Sequence, residues 1–190
     1  MPTDEELYLD YLDKLTGAKP EFQLISKEDN SPPVYIATYQ NVPKNGVFTS
    51  FTLGLSSVDY EHWQYARPEL MIRVNSTDIS WGLAVGTVAN HARGKYGFHL
   101  TDTVNFNAKI AHESEMSAFL IYHPLDMNKE ITKIKLPGRT ITLLQMIPIY
   151  DGEMRLIREN GFEWFTKLNP DIYDVQRKDL SIKKSEIQNS

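Results

Sequence analysis

The chain has 190 residues with a formal net charge of −5, of which 41% are hydrophobic and 24% charged, and it contains no cysteine. That length is enough for one domain with its own hydrophobic core, and the missing cysteines exclude disulfides, thiolate nucleophiles and cysteine-ligated metal centres. The acidic balance argues against nucleic acid as a partner, because nucleic-acid-binding domains usually present a basic patch.

The N-terminal residues predict neither export nor membrane insertion. The segment MPTDEELYLDYL is acidic and lacks a basic region followed by an apolar one. No apolar run reaches the roughly 18–20 residues that a bilayer-spanning helix needs. Together with the absence of cysteine, which fits a reducing compartment, these features lead us to expect a cytoplasmic protein that does not act at a membrane.

The first predicted element is an amphipathic helix with an acidic outer face. Thr3 and Glu6 match a capping box, in which the side chain of each residue accepts a hydrogen bond from the backbone of the other. Gly17 is the expected end of the helix, because glycine readily adopts the left-handed conformation found there. The apolar residues between them recur at helical spacing and predict a buried face: Tyr8, Tyr11, Leu12 and Leu15.

Three strands are predicted after the turn-rich stretch SKEDNSPP. Residues 34–39 (VYIATY) and 47–55 (VFTSFTLGL) are rich in β-branched and aromatic residues, and the PKNG between them predicts a hairpin turn. Residues 69–74 (ELMIRV) are the third strand candidate. This part of the chain is therefore predicted to be rich in β-structure.

A second helix is predicted to begin with Ser80 as its N-cap and to end at Gly94. Gly82 and Gly86 weaken the helix but permit a close approach to a sheet. Residues 95–117 show little periodicity and predict a loop. The apolar face of the helix consists of Trp81, Ala84, Val85, Val88 and Ala92.

The remaining strands and the fold class follow from the second half of the chain. Residues 118–122 (AFLIY) predict a short buried strand, 131–136 alternate like an edge strand, and 140–147 (TITLLQMI) are the strongest strand candidate. Strands grouped with helices at both ends and one in the middle predict an α+β (mixed α/β) fold, with a central mixed sheet of about five to six strands packed by helices. We expect a single domain over residues 1–170 and a polar, poorly ordered tail over 171–190.

The segment IPIYDGEMRLIRENGFEWF combines the end of a strand with a charged helix. Pro148 is expected to end the strand, Asp151 to cap the helix, and Gly161 to bend or break it. Arg155 and Glu159 are four residues apart and fit a surface ion pair. The charged residues of the segment are predicted to form a solvated helix face: Glu153, Arg155, Arg158 and Glu159.

Several segments follow one another in a recognisable order. They are TSFTLGLS (49–56), RPELMIRV (67–74), a helix from Trp81, LTDTVNF (100–106) and LLQMIPIYDGEMRLIRENGFEWF (143–165). The last segment consists of a strand, a short connection that begins with proline, and a helix with a central glycine. The positions that match the family pattern are Pro148, Ile149, Tyr150, Glu153 and Gly161. In order and spacing this combination resembles the Suppressor-of-fused domain family in its bacterial, single-domain form. The resemblance spans residues 30–168.

The resemblance implies protein binding rather than catalysis. Animal members of the family sequester a transcription factor and grip a peptide strand by β-augmentation, the addition of an extended peptide to a sheet edge. Bacterial members often look like immunity proteins that neutralise polymorphic toxins. The expected partner is therefore a protein, with a cognate toxin as the candidate, and no cofactor is implied.

The residues themselves give little support to catalysis. No two histidines have the spacing of common metal-ligand motifs, and no Gly-x-Ser-x-Gly nucleophile motif occurs. We therefore predict no catalytic, cofactor-binding or metal-binding residues. Two other functions remain open: a hydrolase-like enzyme whose site is assembled from dispersed His, Asp and Glu, and a scaffold or assembly subunit. The histidines are His62, His91, His99, His112 and His123.

The segment YEHWQY, between two predicted strands, is the best candidate for a binding surface. Tyrosine and tryptophan on a loop offer a large contact area with few rotatable bonds, as interfaces favour. Trp63 has a second interpretation, in which it folds back over a sheet edge. Acidic residues near a binding surface steer a basic partner towards it. The predicted partner-binding residues are Asp59, Tyr60, Glu61, Trp63, Tyr65, Glu113 and Glu115.

Overall fold

The protein, described here from a computed structural model, forms one mixed eight-stranded sheet with helices on both faces. The structure describes residues 1–25, 32–63 and 65–182, so most of the predicted turn-rich stretch lies outside the described residues. The elements in chain order are α1 (Asp4–Thr16), β1 (Glu21–Leu24), β2 (Tyr35–Gln40), β3 (Phe48–Leu53), a 3-10 turn (Leu55–Ser57), β4 (Arg67–Val74), α2 (Ser80–Ala92), β5 (Thr103–Asn105), β6 (Ala118–Tyr122), β7 (Lys133–Lys135), β8 (Thr140–Ile149), α3 (Asp151–Asn160) and α4 (Phe162–Lys167).

The predicted α+β class with a mixed sheet is confirmed. The strand order is β1-β2-β3-β4-β8-β6-β5, and β7 pairs with the first part of β8. The β4–β8 pair is parallel and all the other pairs are antiparallel. Strands β1 and β5 therefore lie at opposite ends of the sheet. Each of them has one outer side, which is the side that pairs with no other strand of the described residues.

Both faces of the sheet are covered, which gives three layers. The longest strand, β8, sends Leu144 and Met146 to the face that α2 covers. Its Leu143 faces α1, and its Ile147 faces the α3–α4 pair, on the other side. Strands buried on both faces read as continuous apolar runs, and this explains why β8 was the strongest strand in the sequence.

Helix α1 follows its sequence prediction. The Thr3 backbone N–H donates to Glu6 Oε2 over 2.7 Å, and the Glu6 N–H donates to Thr3 Oγ1 over 3.2 Å. Gly17 ends the helix with a φ of 67°, in the left-handed region. The buried residues Tyr8 and Leu12 pack against the sheet, so the predicted apolar face is also confirmed.

Helix α2 is confirmed, but its N-cap differs from the prediction. The cap is Ile79, and Ser80 is the first helical residue, whose backbone N–H donates to Asp78 Oδ1 over 2.9 Å. The two helical glycines lie close to the sheet. A Cβ on Gly82 would come within 2.8 Å of Ser50 Oγ, and one on Gly86 within 2.6 Å of an Ile25 side-chain carbon.

Two strands were missed by the sequence analysis. Strand β1 has four residues and is mostly exposed, and β5 has three residues within the segment predicted as a loop. Each strand holds only one or two apolar residues, and an apolar alternation this short does not by itself predict a strand. Their position at the two ends of the sheet explains why both strands are short and incompletely buried.

The connection from β8 to α3 corrects two details of the prediction and decides between the two outcomes predicted at Gly161. Pro148 does not end the strand, because it pairs with Phe119 and β8 continues to Ile149. Beyond Gln145, β8 is no longer paired with β4, and a strand paired on one side tolerates proline. Asp151 is the first residue of α3 rather than its cap. At Gly161, with a φ of 83°, the helix breaks into α3 and α4, which is one of the two predicted outcomes.

The charges of α3 do not form a uniform solvated face. Glu153 is fully buried, and its Oε2 accepts a hydrogen bond from Arg177 Nη2 over 2.7 Å. The predicted pair of Arg155 with Glu159 is wrong, because Arg155 pairs instead with Asp151 over 3.2 Å. The solvated-face prediction therefore fails for Glu153, since the residue that buries it comes from a distant part of the chain.

The C-terminal segment differs from the expected tail over its first twelve residues, 171–182. Val175 is buried in the core beneath α2, and Ser114 Oγ donates to its carbonyl oxygen over 2.5 Å. Arg177 is buried against α3. We therefore propose that the domain extends to residue 182, while residues 183–190 of the expected tail lie outside the described residues.

No helix within the described ranges is both long enough and apolar enough to cross a membrane.

Candidate functional site

A recess lies beside β5, at one end of the sheet. Its volume is about 640 Å³, and its wall is built from the second half of α2, the turn that follows this helix, β5 and one side chain of α3. The floor is apolar, and polar groups lie around the rim. The apolar residues are Val88, Ala92, Phe98, Val104, Phe106 and Ile121. We call this recess the β5 groove.

The outer side of β5 carries backbone groups that face the groove. Asp102 and Phe106 form backbone hydrogen bonds with the chain around β6, over 2.8 and 2.9 Å. Because hydrogen-bonded pairs alternate along antiparallel strands, Val104 also bonds towards β6, and the backbone groups of Thr103 and Asn105 point outwards. No other strand in the described part of the chain pairs with this side of β5.

Arg158 of α3 occupies part of this outer side. Its Nε donates to Thr103 Oγ1 over 2.7 Å, and its Nη2 donates to the Thr103 carbonyl oxygen over 3.3 Å. A charged side chain at a sheet edge is a common protection against unwanted pairing. The Arg158 contact leaves the N–H groups of Thr103 and Asn105 directed towards the groove.

The predicted aromatic loop lies next to the β5 groove. The Tyr60 and Trp63 rings meet edge to face with their centroids 5.3 Å apart. The Tyr60 hydroxyl donates to the Lys95 carbonyl oxygen over 3.2 Å, in the turn that also carries the groove residue Tyr96. The loop and the groove therefore form one continuous surface around the C-terminal end of α2.

Trp63 contributes more to packing than to exposed surface. Its side chain is half-buried and packs against the core cluster beneath α2. Its indole Nε1 is buried and has no hydrogen-bond acceptor among the described residues. Tyr65, by contrast, is 91% exposed, and it is the aromatic side chain of this loop that is freely accessible.

The acidic residues predicted for the surface fall into two groups. Asp59 and Glu61 are exposed on the aromatic loop, where Asp59 pairs with Arg67. Glu113 lies near the start of α2, because it accepts a hydrogen bond from the indole Nε1 of Trp81 over 3.0 Å. The 13 residues of α2 are about 18 Å long, so the structure separates Glu113 from the aromatic loop by roughly the length of this helix.

Glu115 completes the second acidic group. It is exposed on the same loop as Glu113 and pairs with Lys109. Glu113 also accepts a hydrogen bond from Ser76 Oγ, which holds it against the chain before α2. The four predicted acidic residues thus occupy two separate positions on the molecule.

A histidine–carboxylate contact lies at the edge of the groove, where Asp102 belongs to the groove lining. His99 Nδ1 lies 3.3 Å from Asp102 Oδ2, and both side chains are substantially exposed. In the described ranges no three His, Cys, Asp or Glu side chains come together as a metal site would require. The polar rim of the groove is suited to hydrogen bonding with a ligand.

The β5 groove was missed by the sequence analysis. It combines residues of α2, β5 and α3, which are far apart in the chain, and β5 has only three residues. The one usable signal was LTDTVNF, in which Val104 and Phe106 alternate with polar residues.

Comparison with known proteins identifies the family. The family model of the Suppressor of fused protein (SUFU) matches residues 30–178, so the chain belongs to the Suppressor-of-fused family. Among curated proteins, the Immunity protein YqcF of Bacillus subtilis (strain 168) is 22% identical over 174 residues, which cover 86% of this chain and 90% of that protein.

Solved structures share the fold. A chain of the Sufu-Fu complex matches with a TM-score of 0.71 and 13% identity, over 98% of this chain and 95% of its own length. A SUFU homologue from Neisseria gonorrhoeae FA 1090 matches with a TM-score of 0.69 and 15% identity, over 90% and 93%. Drosophila Suppressor of Fused gives a TM-score of 0.70 and 14% identity, and 96% of this chain matches about half (52%) of that one.

Proposed function

We propose that this chain is a non-catalytic protein-binding domain that acts as an immunity protein and neutralises a toxin by stoichiometric binding. The observation that carries the proposal is the β5 groove, with outward-facing backbone groups of β5 along one side and the aromatic loop along its end. The similarity to an immunity protein over most of both chains supports the choice of a toxin as partner.

The proposed contact is an extended segment of the partner laid along the outer side of β5. The N–H groups of Thr103 and Asn105 would donate to carbonyl oxygens of the partner and continue the sheet ladder into it, as in β-augmentation. Alternate side chains of an added strand point to one face, so every second partner side chain would enter the groove. An apolar floor under a polar rim is typical of sites that bind by burial and orient by hydrogen bonds.

The aromatic loop would extend the contact beyond the groove. Tyr65 provides an accessible aromatic contact, while Tyr60 and Trp63 hold the loop against the turn after α2. Asp59 and Glu61 add negative charge beside it. In this proposal Glu113 and Glu115 act at a distance, by attracting a basic toxin rather than by touching it.

The test uses the toxin candidate encoded next to the gene of this chain. We expect the purified chain to bind it with a stoichiometry of one domain per toxin and to abolish its activity. Asn105→Pro removes an N–H group that the partner needs but that the sheet does not use, and Tyr65→Ala removes the exposed ring. Both variants should bind the toxin more weakly in calorimetry.

The control is Leu125→Ala, which truncates an exposed apolar side chain in the β6–β7 connection. Trp63→Ala is a less specific variant, because the loss of its core contacts is expected to lower stability as well as binding. Affinities that stay unchanged in both Asn105→Pro and Tyr65→Ala would remove the β5 groove and the aromatic loop from the site. A neighbouring toxin that is neither bound nor inhibited would contradict the immunity function itself.

A further inference from the structure

Strand β1, at the end of the sheet opposite to the β5 groove, exposes an apolar cluster. Phe22 is 50% exposed, Leu24 60% and Tyr35 of β2 38%. Leu24 lies directly across from Tyr35, and Phe22 is two residues away in the same strand, so the three side chains share one face. That face is the one covered by α1 further along the sheet, and at β1 the described residues leave it open.

The outer side of β1 also presents backbone groups. The Ile25 N–H donates to the Val34 carbonyl oxygen over 2.9 Å, and this defines Ile25–Val34 as a hydrogen-bonded pair. Alternation along the antiparallel ladder then directs the N–H and C=O groups of Phe22 and Leu24 outwards, away from β2. The two most exposed apolar side chains of this edge therefore belong to the two residues whose backbone groups face outwards.

We propose that two copies of this chain associate through β1, by antiparallel pairing about a two-fold axis at Gln23. In this register Phe22 of each copy forms a hydrogen-bonded pair with Leu24 of the other, and the two Gln23 residues face each other. The contact is isologous, because the same strand is used by both copies. It brings the exposed apolar clusters of the two copies together on one face of a continuous sheet.

A second copy fits this edge because the two-fold register pairs each of Phe22 and Leu24 with the other and places no two like charges of β1 opposite each other. Glu21 of one copy lies opposite Ile25 of the other, so the pairing does not place like charges face to face. Lys19, just before the strand, already forms an ion pair with Asp13 over 2.5 Å. Edge strands are usually protected by charges, by proline or by a covering segment. In β5, Arg158 binds one of the outward backbone groups, the Thr103 carbonyl oxygen, whereas the one charged residue of β1 is Glu21 at its start, and the strand contains no proline.

The proposed dimer leaves the β5 groove free. Strands β1 and β5 are the two ends of the sheet order, so the grooves of the two copies lie at the far ends of the joined sheet. Such a dimer presents two binding surfaces that face away from each other. It is therefore independent of whether the groove binds a toxin.

The first experiment is the measurement of molar mass by sedimentation or light scattering over a concentration series. We expect the mass to rise to twice the 21.9 kDa of one chain. Leu24→Lys places a charge in the centre of the contact and should abolish the dimer. The control Leu125→Lys makes the same change at a residue that is 53% exposed but distant from β1, and it should dimerise like the natural chain.

The second experiment tests the register. The chain has no cysteine, so a single introduced thiol is unique. In a non-hydrogen-bonded antiparallel pair the two Cα atoms lie about 4.5 Å apart, which permits a disulfide. Gln23→Cys should therefore yield a covalent dimer on oxidation. Glu21→Cys should not, because the two copies of residue 21 are offset by about 13 Å along the strands.

Each outcome of the two experiments either supports or contradicts the proposed dimer. A monomeric mass at every concentration would overturn the proposal, as would a Leu24→Lys variant that remains dimeric. Equal cross-linking of Gln23→Cys and Glu21→Cys would contradict the two-fold pairing at Gln23. A dimer lost only in Leu24→Lys and cross-linked only through Gln23→Cys would establish it.

Discussion

Glu69 is a carboxylate without exposed surface, held by donors from the end of β3 and the turn after it. Its Oε1 accepts hydrogen bonds from the Ser56 backbone N–H and hydroxyl over 2.9 and 2.6 Å and from the Gly54 N–H over 3.2 Å. Its Oε2 accepts from Thr52 Oγ1 over 2.5 Å. Burial nevertheless raises the pKa of Glu69 above its ordinary value, because the desolvation of the charge outweighs these hydrogen bonds.

A pH dependence of stability follows from the raised pKa of Glu69. Since the folded state holds the proton more tightly than the unfolded state, the contribution of Glu69 to stability is complete below the unfolded pKa, near 4.5. It is lost as the pH rises through the higher folded pKa. We expect the unfolding free energy of the natural chain, minus that of Glu69→Gln, to fall as the pH rises above 4.5. Urea unfolding at a series of pH values measures this difference, and an increase with pH would contradict it.

At the scale of a single element, helix α2 shows how a helix can pack very closely against a sheet. The helix carries Gly82 and Gly86 on its sheet-facing side, where a Cβ on either residue would approach another atom to within 2.8 Å. These glycines reduce helix propensity, and the close approach that they permit explains why the helix still forms. The sequence predicted this use of glycine correctly, because small residues within a helical apolar face have few other roles.

Replacing Gly86 tests this close packing. Gly86→Ala adds a methyl group that would lie 2.6 Å from an Ile25 side-chain carbon and 2.8 Å from one of Ile36. Overpacking of this kind costs about 1–3 kcal/mol, which exceeds the gain of about 1 kcal/mol in helix propensity. We expect a net loss of unfolding free energy in chemical denaturation. Thr87→Ala, at an exposed neighbour in the same helix, is the control and should be neutral or slightly stabilising. A Gly86→Ala variant as stable as this control would refute the role of the glycine.

At the scale of the whole molecule, residues 171–182 close the fold by returning to α3. Arg177 donates to both oxygens of the buried Glu153, and the Leu180 backbone N–H donates to the same carboxylate over 3.0 Å. The Tyr150 hydroxyl donates to the Arg177 carbonyl oxygen over 2.5 Å. The charge of Glu153 is thus balanced by a residue 24 positions further along the chain, and α3 alone contains no sign of it.

Removing Arg177 leaves Glu153 buried without its counter-charge. Breaking a buried ion pair from one side typically costs about 3–5 kcal/mol, so Arg177→Ala should be strongly destabilised in urea unfolding. Arg155→Ala is the matched control, because Arg155 pairs with Asp151 at the surface of the same helix. Its loss should cost no more than about 0.5 kcal/mol. Similar stabilities of the two variants would show that the C-terminal segment does not hold the fold together.

Local patterns were sufficient to predict the elements that carry strong periodicity. The capping box of α1, the apolar face of α2 and the central strand β8 are consequences of neighbouring residues, and the structure confirms all three. The family was also recognisable, because the order of these segments along the chain is a property of the sequence. Trp63 was identified as a notable residue, but its neighbours in sequence do not reveal that it packs against the core.

What only the tertiary structure decided is the set of contacts between distant segments. The sequence by itself determined the α+β class, most elements and the family, because hydrophobic periodicity and helix caps act over a few residues. The two short end strands, the groove beside β5 and the burial of Glu153 by Arg177 depend on which segments meet in the folded sheet. A three-residue strand or a buried charge is stabilised by its partners in space, and these partners leave no trace in the residues beside it.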